Sequence, residues 1–255
     1  MIFETHAHYD DDAFDEDREL LLEQLPKQGI GRVVNIGASL KSCQKTLDLM
    51  EKYDYIYGAI GVHPNETGEL NEENFAWLKK QCEHKKCVAV GEIGLDYYWD
   101  EPERQVQKEW FRRQLRLAKE MDLPVVIHSR DAAQDTIQIM KEEHAEEIGG
   151  VVHCFAYTKE TAQIFLDMGF YIGVGGVITF KNGKKLKEAV EDIPLERIVL
   201  ETDSPYLSPE PYRGKRNSSL NLPFVVEQIA SIKNVTPEEV ERVTYENALK
   251  LYRLS

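Results

Sequence analysis

A chain of 255 residues, 42% hydrophobic and 30% charged, is long enough to bury one large α/β core. The formal net charge of −14 excludes a protein that coats nucleic acid over a broad surface, but not an enzyme that grips one or two phosphates at a single site. MIFETHAHYDDD lacks the basic-then-apolar order of a secretory signal, and the cysteines (Cys43, Cys82, Cys87, Cys154) form no disulfide framework, so a cytoplasmic protein is expected. No run approaches the roughly 18 apolar residues of a bilayer span, so no membrane partner is expected.

Short Val/Ile-rich runs alternate with longer amphipathic stretches. The predicted elements are a strand at 2–6, a helix at 15–28, a strand at 32–37 and a helix at 41–52. A strand at 55–62 follows, then a helix at 72–83, a strand at 87–94 and a helix at 103–121. Next come a strand at 124–128, a helix at 131–145, a strand at 150–155 and a helix at 158–168. The last pairs are a strand at 170–176 with a helix at 183–191, and a strand at 197–203 with helices at 221–233 and 237–252. Thr236 is the expected N-cap of the final helix, with Pro237 in its first turn and Glu239 at the capping-box position.

Strands without polar alternation are buried on both faces, which suits a parallel sheet with crossover helices. Two architectures fit, an open doubly wound sheet and a (β/α)8 TIM barrel. The eight strand–helix repeats favour the barrel, as one domain over residues 1–255 with a metal site at the C-terminal face of the strands. No internal repeat, low-complexity tract or linker interrupts the chain.

The chemistry-bearing residues fall where apolar runs end. His6 and His8 end IFETHAH, His63 ends AIGVH, His128 ends PVVIH and His153 ends GVVH. Glu92 in VAVGE and Asp203 in IVLETD occupy the same kind of position. In a barrel these ends meet on one face. His6 and His8 are two apart, on one face of a strand and about 7 Å from each other along the backbone. Any one of these histidines is as well explained by an ordinary hydrogen bond; the set together points to metal. Glu92 lies between Gly91 and Gly94. Its two oxygens can bridge cations roughly 3.5–4 Å apart, one on the His6/His8 side and one on the His128/His153 side. A barrel-lining Glu paired with an Arg is the ordinary alternative. Asp203 can bind metal and accept a proton from attacking water. Glu201 can share its face, or orient a ligand. His63 can act as an acid or hold a phosphate. Cys82-Glu-His84-Lys-Lys-Cys87 has only half of a zinc site and reads as a helix end before a strand.

Candidate anion contacts cluster on late loops: Arg130, the run Lys181, Lys184 and Lys185, and Arg213, Lys215 and Arg216 in PYRGKRN. Solvated surface charge is their ordinary reading. Tyr97, Tyr98 and Trp99 in GLDYYWD can stack on nucleobases or cover the core, and Phe155 in HCF is equally ambiguous.

THAH at 5–8, GVHP at 61–64, GEIGLDYY at 91–98, PVVIHSRDA at 124–132, VVHCF at 151–155 and LETDSPYL with PYRGKRN at 200–217 occur in order over essentially the whole chain. Together they resemble the TatD-type metal-dependent deoxyribonucleases, barrels of the amidohydrolase-like superfamily. The resemblance implies one metal at His6, His8, Glu92 and Asp203, and a second at Glu92, His128 and His153, with His63 and Glu201 in the site. It implies magnesium-dependent nuclease action on DNA, often exonucleolytic from a 3′ end, in the cytoplasm. The catalytic set is then Asp203, Glu92, His63 and Glu201, and the substrate-binding set Arg130, Arg213, Lys215 and Tyr97. Two divalent ions are expected, Mg²⁺ or Mn²⁺ for activity with Zn²⁺ as an occupant, because imidazole suits the softer ions and magnesium prefers oxygen. A single-stranded DNA or 3′-end substrate and a monomer are expected.

Two positions depart from the family pattern. Glu4 stands where the first motif has Asp, and Ser218-Ser219 follow RGKRN where the family has Glu-Pro. Hydrolysis of a small amide, ester or lactone on the same metal site is the alternative activity, since fold does not fix substrate. A catalytically silent binding module would not need the complete ligand set.

Overall fold

The computed structural model describes all 255 residues, Met1–Ser255. Eight parallel strands pair in chain order: β1 (Ile2–Ala7), β2 (Ile30–Ile36), β3 (Ile56–Ile60), β4 (Cys87–Asp96), β5 (Val125–Arg130), β6 (Gly150–Val152), β7 (Tyr171–Val174) and β8 (Ile198–Leu200). The connecting helices are α1 (Arg18–Gln24), α2 (Leu40–Lys52), α3 (Glu72–Gln81), α4 (Arg104–Met121), α5 (Ala133–Glu142), α6 (Lys159–Asp167) and α7 (Lys184–Asp192). Two more, α8 (Leu222–Lys233) and α9 (Pro237–Leu251), end the chain. This is the expected (β/α)8 barrel.

The last seam closes at the top of the sheet. Ala7 pairs with Ser204 beyond β8, His8 N donates to Ser204 O at 2.8 Å, and Asp203 N donates to His6 O at 3.0 Å. Closure therefore runs through the residues expected to hold metal.

Apolar side chains sort into two cores. One, of 56 residues, lies largely between strands and helices. The other, of 12 residues, includes Phe3, Val34, Ile36, Val126, Val151 and Val199, and is sealed by Ala248, Leu251 and Tyr252 of and beside α9. Tyr252 OH also donates to Thr5 O. With one mouth plugged by α9, the interior opens only at the other. Strand periodicity then delivers the site. Two residues beyond Val126 is His128, two beyond Val151 is His153, and two beyond Val199 is Glu201.

Several elements are shorter than their sequence patterns. The predicted helix at 15–28 is α1 flanked by short 3-10 turns at Asp12–Phe14 and Pro26–Gln28, because Pro26 ends the α-helical ladder. The helix expected at 131–145 is α5 alone, followed by His144 in the left-handed region. The apolar runs at 150–155 and 197–203 form strands only to Val152 and Leu200. Cys154 (φ 45°) and Asp203 (φ 56°) adopt left-handed backbone just beyond those ends, which turns the chain out of the sheet. Thr236 caps α9 as expected, its hydroxyl accepting from Glu239 N.

Candidate metal centre

Glu92 is buried at the centre of the open mouth, on β4, and its two oxygens face different partners. Oε2 lies 3.3 Å from His6 Nε2 and 3.5 Å from His8 Nε2. Oε1 lies 2.7 Å from His153 Nε2 and 2.8 Å from His128 Nδ1. Asp203 Oδ1 completes the first set, 3.3 Å from His8 Nε2 and 3.6 Å from His6 Nε2. The structure thus brings together all six expected ligands, with Glu92 between the two halves.

The ring nitrogens are arranged to present lone pairs inward. His8 Nδ1 bonds the carbonyl of Ile36 at 2.9 Å, so it is the donor and Nε2 carries the lone pair. Asp96 Oδ2, 3.1 Å away, takes the Nε2 proton of His128 and leaves Nδ1 as the ligand atom. The Nε2 atoms of His6 and His8 then face each other at 3.1 Å. Lone pairs at that distance repel unless a cation or proton sits among them. Imidazole and carboxylate donors in this number fit two divalent ions bridged by Glu92. Burial opposes the charge on Glu92, but His153, His128 and His6 hold its carboxyl well below the usual carboxylate range. For His8, burial is outweighed by Asp203 and Glu92, which pull its pKa up to about 10, so that Nε2 takes up a proton wherever no cation claims its lone pair.

His63 lies at the edge of this cluster. Its Nε2 is 3.7 Å from Glu92 Oε1, and its ring meets His128 edge-on at 4.3 Å between centroids. Its Nδ1 accepts from Asn65 N, so the neutral ring carries its proton on Nε2, toward the site. Burial, then His128, lower its pKa to about 3. Glu201 is buried beneath the centre. Its Oε1 accepts from Cys154 N, and Oε2 has no partner. Burial, against the Cys154 N–H and reinforced by Asp203, Glu4 and Glu92, raises its carboxyl well above the ordinary range; cations held at Glu92 would act in the opposite direction and favour the carboxylate.

Asp96 escaped the sequence reading although it lies inside GEIGLDYY. Besides orienting His128, its Oδ1 accepts from the backbone N–H groups of Tyr98 and Trp99. Its position four residues after Glu92 was the available signal; its proximity to His128 on the next strand was not visible in one dimension.

The two departures from the family pattern meet in space. Glu4 is buried, and its carboxylate accepts from His6 N, Thr202 N, Thr202 Oγ1 and Ser219 Oγ, the last at 2.9 Å. Ser219 also bonds Tyr9 OH through both its amide and its hydroxyl. The longer Glu4 side chain therefore reaches a hydroxyl that a proline at 219 would lack. Burial outweighs these bonds and raises the Glu4 pKa to about 7.

At the rim, Arg130 stacks over Tyr98 at 3.9 Å and Arg213 over Phe180 at 4.2 Å. Every other arginine bonds a carboxylate or a backbone carbonyl; Arg18, Arg104, Arg113 and Arg216 are examples. Arg130 and Arg213 bond neither, so their guanidinium edges remain open. Lys215 lies 5.6 Å from the centroid of Tyr212 and forms no ion pair. Arg216, by contrast, is committed to Asp17 through two bonds, and Lys184 to Glu188, so neither is a free anion contact. Tyr97 is half-buried, its hydroxyl donating to Asp135 and its ring under Arg104. Its neighbours face solvent: Tyr98 is 57% exposed and Trp99 67%, in edge-to-face contact. Phe155 is buried in the larger apolar core and also lines a small cavity beside Glu201 and Asp203. Cys82 and Cys87 are both buried, and His84 turns away to Glu51.

Comparison with known proteins identifies the family. Residues 3–253 match the family model described as TatD related DNase. An uncharacterized metal-dependent hydrolase, YabD of Bacillus subtilis, is 45% identical over 100% of both chains. A second, YcfH of Escherichia coli K12, is 34% identical over 100% of this chain and 96% of its own. The crystal structure of YjjV, a TatD homologue from Escherichia coli K12, superposes with a TM-score of 0.93 at 30% identity, covering 100% of this chain and 98% of that one. The chain belongs to the TatD family of metal-dependent hydrolases.

Proposed function

We propose that this protein is a deoxyribonuclease that hydrolyses DNA phosphodiester bonds, working from unpaired 3′ ends. The observation that carries this reading is the pair of open guanidiniums, Arg130 at the C-terminal end of β5 and Arg213 on the loop after β8, the same end of the strands that carries the candidate metal ligands. A neutral amide, ester or lactone would leave both cations without a purpose. In a chain of net charge −14, unpaired arginines concentrated at the mouth give the site a local attraction for phosphate. The description of the matching family as DNases supports the same reading.

His6, His8, Glu92 and Asp203 would hold one divalent ion and Glu92, His128 and His153 a second, and the bound ions would supply Lewis-acid activation of water and charge neutralisation at the phosphate. Mg²⁺ or Mn²⁺ are the proposed working ions, with Zn²⁺ able to occupy the same donors. The chain's own residues do the rest. Asp203, on a partly exposed side chain at the mouth, turns Oδ1 toward His6 and His8 and keeps its second carboxylate oxygen to accept the proton of the attacking water. His63, with its proton on Nε2, donates toward the phosphate or the departing oxygen. Arg130 and Arg213 hold flanking phosphates. Trp99 and Tyr98 offer faces to unpaired bases, where stacking contributes roughly 1–3 kcal/mol per base.

The test is incubation of metal-stripped protein with 3′-labelled and 5′-labelled single-stranded DNA, with Mg²⁺, Mn²⁺ or Zn²⁺ restored. Metal-dependent shortening from the 3′ end, absent from Glu92→Ala, is expected. No cleavage by a protein shown to bind two ions would overturn the nuclease reading and favour ester or amide substrates.

A further inference from the structure

Three buried polar atoms near the metal centre have no hydrogen-bond partner: His6 Nδ1, His153 Nδ1 and Glu201 Oε2. A nitrogen of each imidazole and a carboxylate oxygen of Glu201 lie within 4.8 Å of one another. The two rings are stacked, with centroids 3.9 Å apart and planes inclined by 7°. Both direct Nε2 at Glu92, His6 toward Oε2 and His153 toward Oε1. Their Nδ1 edges are therefore turned away from Glu92.

The chemistry of these rings demands an acceptor there. A neutral imidazole that binds a cation through Nε2 carries its proton on Nδ1, and that N–H needs a partner when buried. His8 and His128 satisfy their second nitrogens on Ile36 O and Asp96. His6 and His153 do not. Glu201 Oε2 is the unpartnered buried acceptor beside both, and its carboxylate is anchored by Cys154 N on Oε1. Strand β7 is cut away to admit it. A Cβ at Gly173 would sit 2.2 Å from Oε2 and 3.0 Å from His153 Cα, so glycine leaves the room this carboxylate fills.

The geometry points to Glu201 as a positioning residue: a single carboxylate that takes the Nδ1–H of His6 and of His153, one ligand from each side of Glu92. Neither Nδ1 forms a hydrogen bond with Oε2 here, and a bridging water can carry either bond. It fixes both rings with Nε2 inward and ties the orientation of one half of the centre to the other. The inference rests on the two-ion reading of the site and does not depend on the substrate.

Glu201→Gln is the discriminating variant. It keeps the volume, but Cys154 N–H already demands an oxygen. Whichever way the amide turns, its NH₂ faces another N–H, either that of Cys154 or those of the imidazoles. The measurements are Zn²⁺ affinity by chelator competition at both positions, and long-range ¹H–¹⁵N spectra of the histidine rings in Zn²⁺-loaded protein. Wild type is expected to show His6 and His153 as Nδ1–H tautomers with slowly exchanging protons. Glu201→Gln and Glu201→Ala are expected to bind both ions about 10–100-fold more weakly, with those protons lost to exchange. Unchanged affinity and spectra in Glu201→Gln, or loss at one position only, would overturn the shared role. A wild type that binds no divalent ion would overturn it too, but together with the two-ion reading. If Glu201→Ala fails to fold, the isosteric Gln variant decides alone.

Discussion

At the scale of single residues, the site is a problem in orienting imidazoles. The sequence shows which histidines end strands, because the end of an apolar run is a one-dimensional feature. It does not show what holds each ring, because those partners come from other strands. Asp96 is the example: it bonds His128 across the β4–β5 pair and tethers Tyr98 and Trp99 in the same loop. Asp96→Asn is expected to weaken the ion bound by His128 by about 10–100-fold while leaving the His6/His8 side less affected, read by titration of each position with Mn²⁺ or Zn²⁺. Nothing in one dimension marks Gly173 as the space for Glu201, because one lies on β7 and the other just beyond the neighbouring strand β8. Gly173→Ala forces a methyl to 2.2 Å from that carboxylate and is expected to cost about 1–3 kcal/mol in denaturant unfolding, as overpacking does. Glu4 and Ser219 were each visible as departures; only the fold joins them at 2.9 Å. Ser219→Ala removes one donor to a buried carboxylate and is expected to lose about 1–3 kcal/mol of stability, which equilibrium urea unfolding would measure.

At the scale of elements, strand and helix order was legible throughout, since buried parallel strands and amphipathic helices have different periods. The boundaries shifted where backbone leaves the sheet early. β6 and β8 stop at Val152 and Leu200, and the left-handed residues Cys154 and Asp203 follow. Apolar content alone could not mark those stops, because the residues beyond remain buried while carrying ligands. The loops also sorted the basic residues. Arg216 pairs with Asp17 beside α1 and Lys184 with Glu188 one turn along α7, whereas Arg130 and Arg213 lie on aromatic rings and stay open. Arg130→Ala and Arg213→Ala are expected to raise KM for single-stranded DNA several-fold with a smaller change in kcat. Each should reduce the dependence of log affinity on log salt by about 0.7, the value for one phosphate contact on a single strand. An unaltered salt slope in both would show that these arginines do not meet phosphate.

At the scale of the whole molecule, the barrel has one usable opening. The interior core is sealed below by Ala248, Leu251 and Tyr252, so polar strand ends can meet only above. The seam between first and last strands closes through Ala7, His8 and Asp203, which makes the metal centre part of the closure as well as the site. Ion binding should therefore stabilise the fold. At an ion concentration of 100 times Kd the gain is about 2.7 kcal/mol. For a domain of this size that corresponds to a rise of roughly 5–10 °C in Tm, which scanning calorimetry with and without chelator would detect.

With both ions bound, Glu92 would divide them between two sets of ligands. Anomalous diffraction from crystals soaked in Mn²⁺ tests this most directly. Two peaks are expected, one among His6, His8, Asp203 and Glu92 Oε2, the other among His128, His153 and Glu92 Oε1. A single peak, or two that do not share Glu92, would contradict that division.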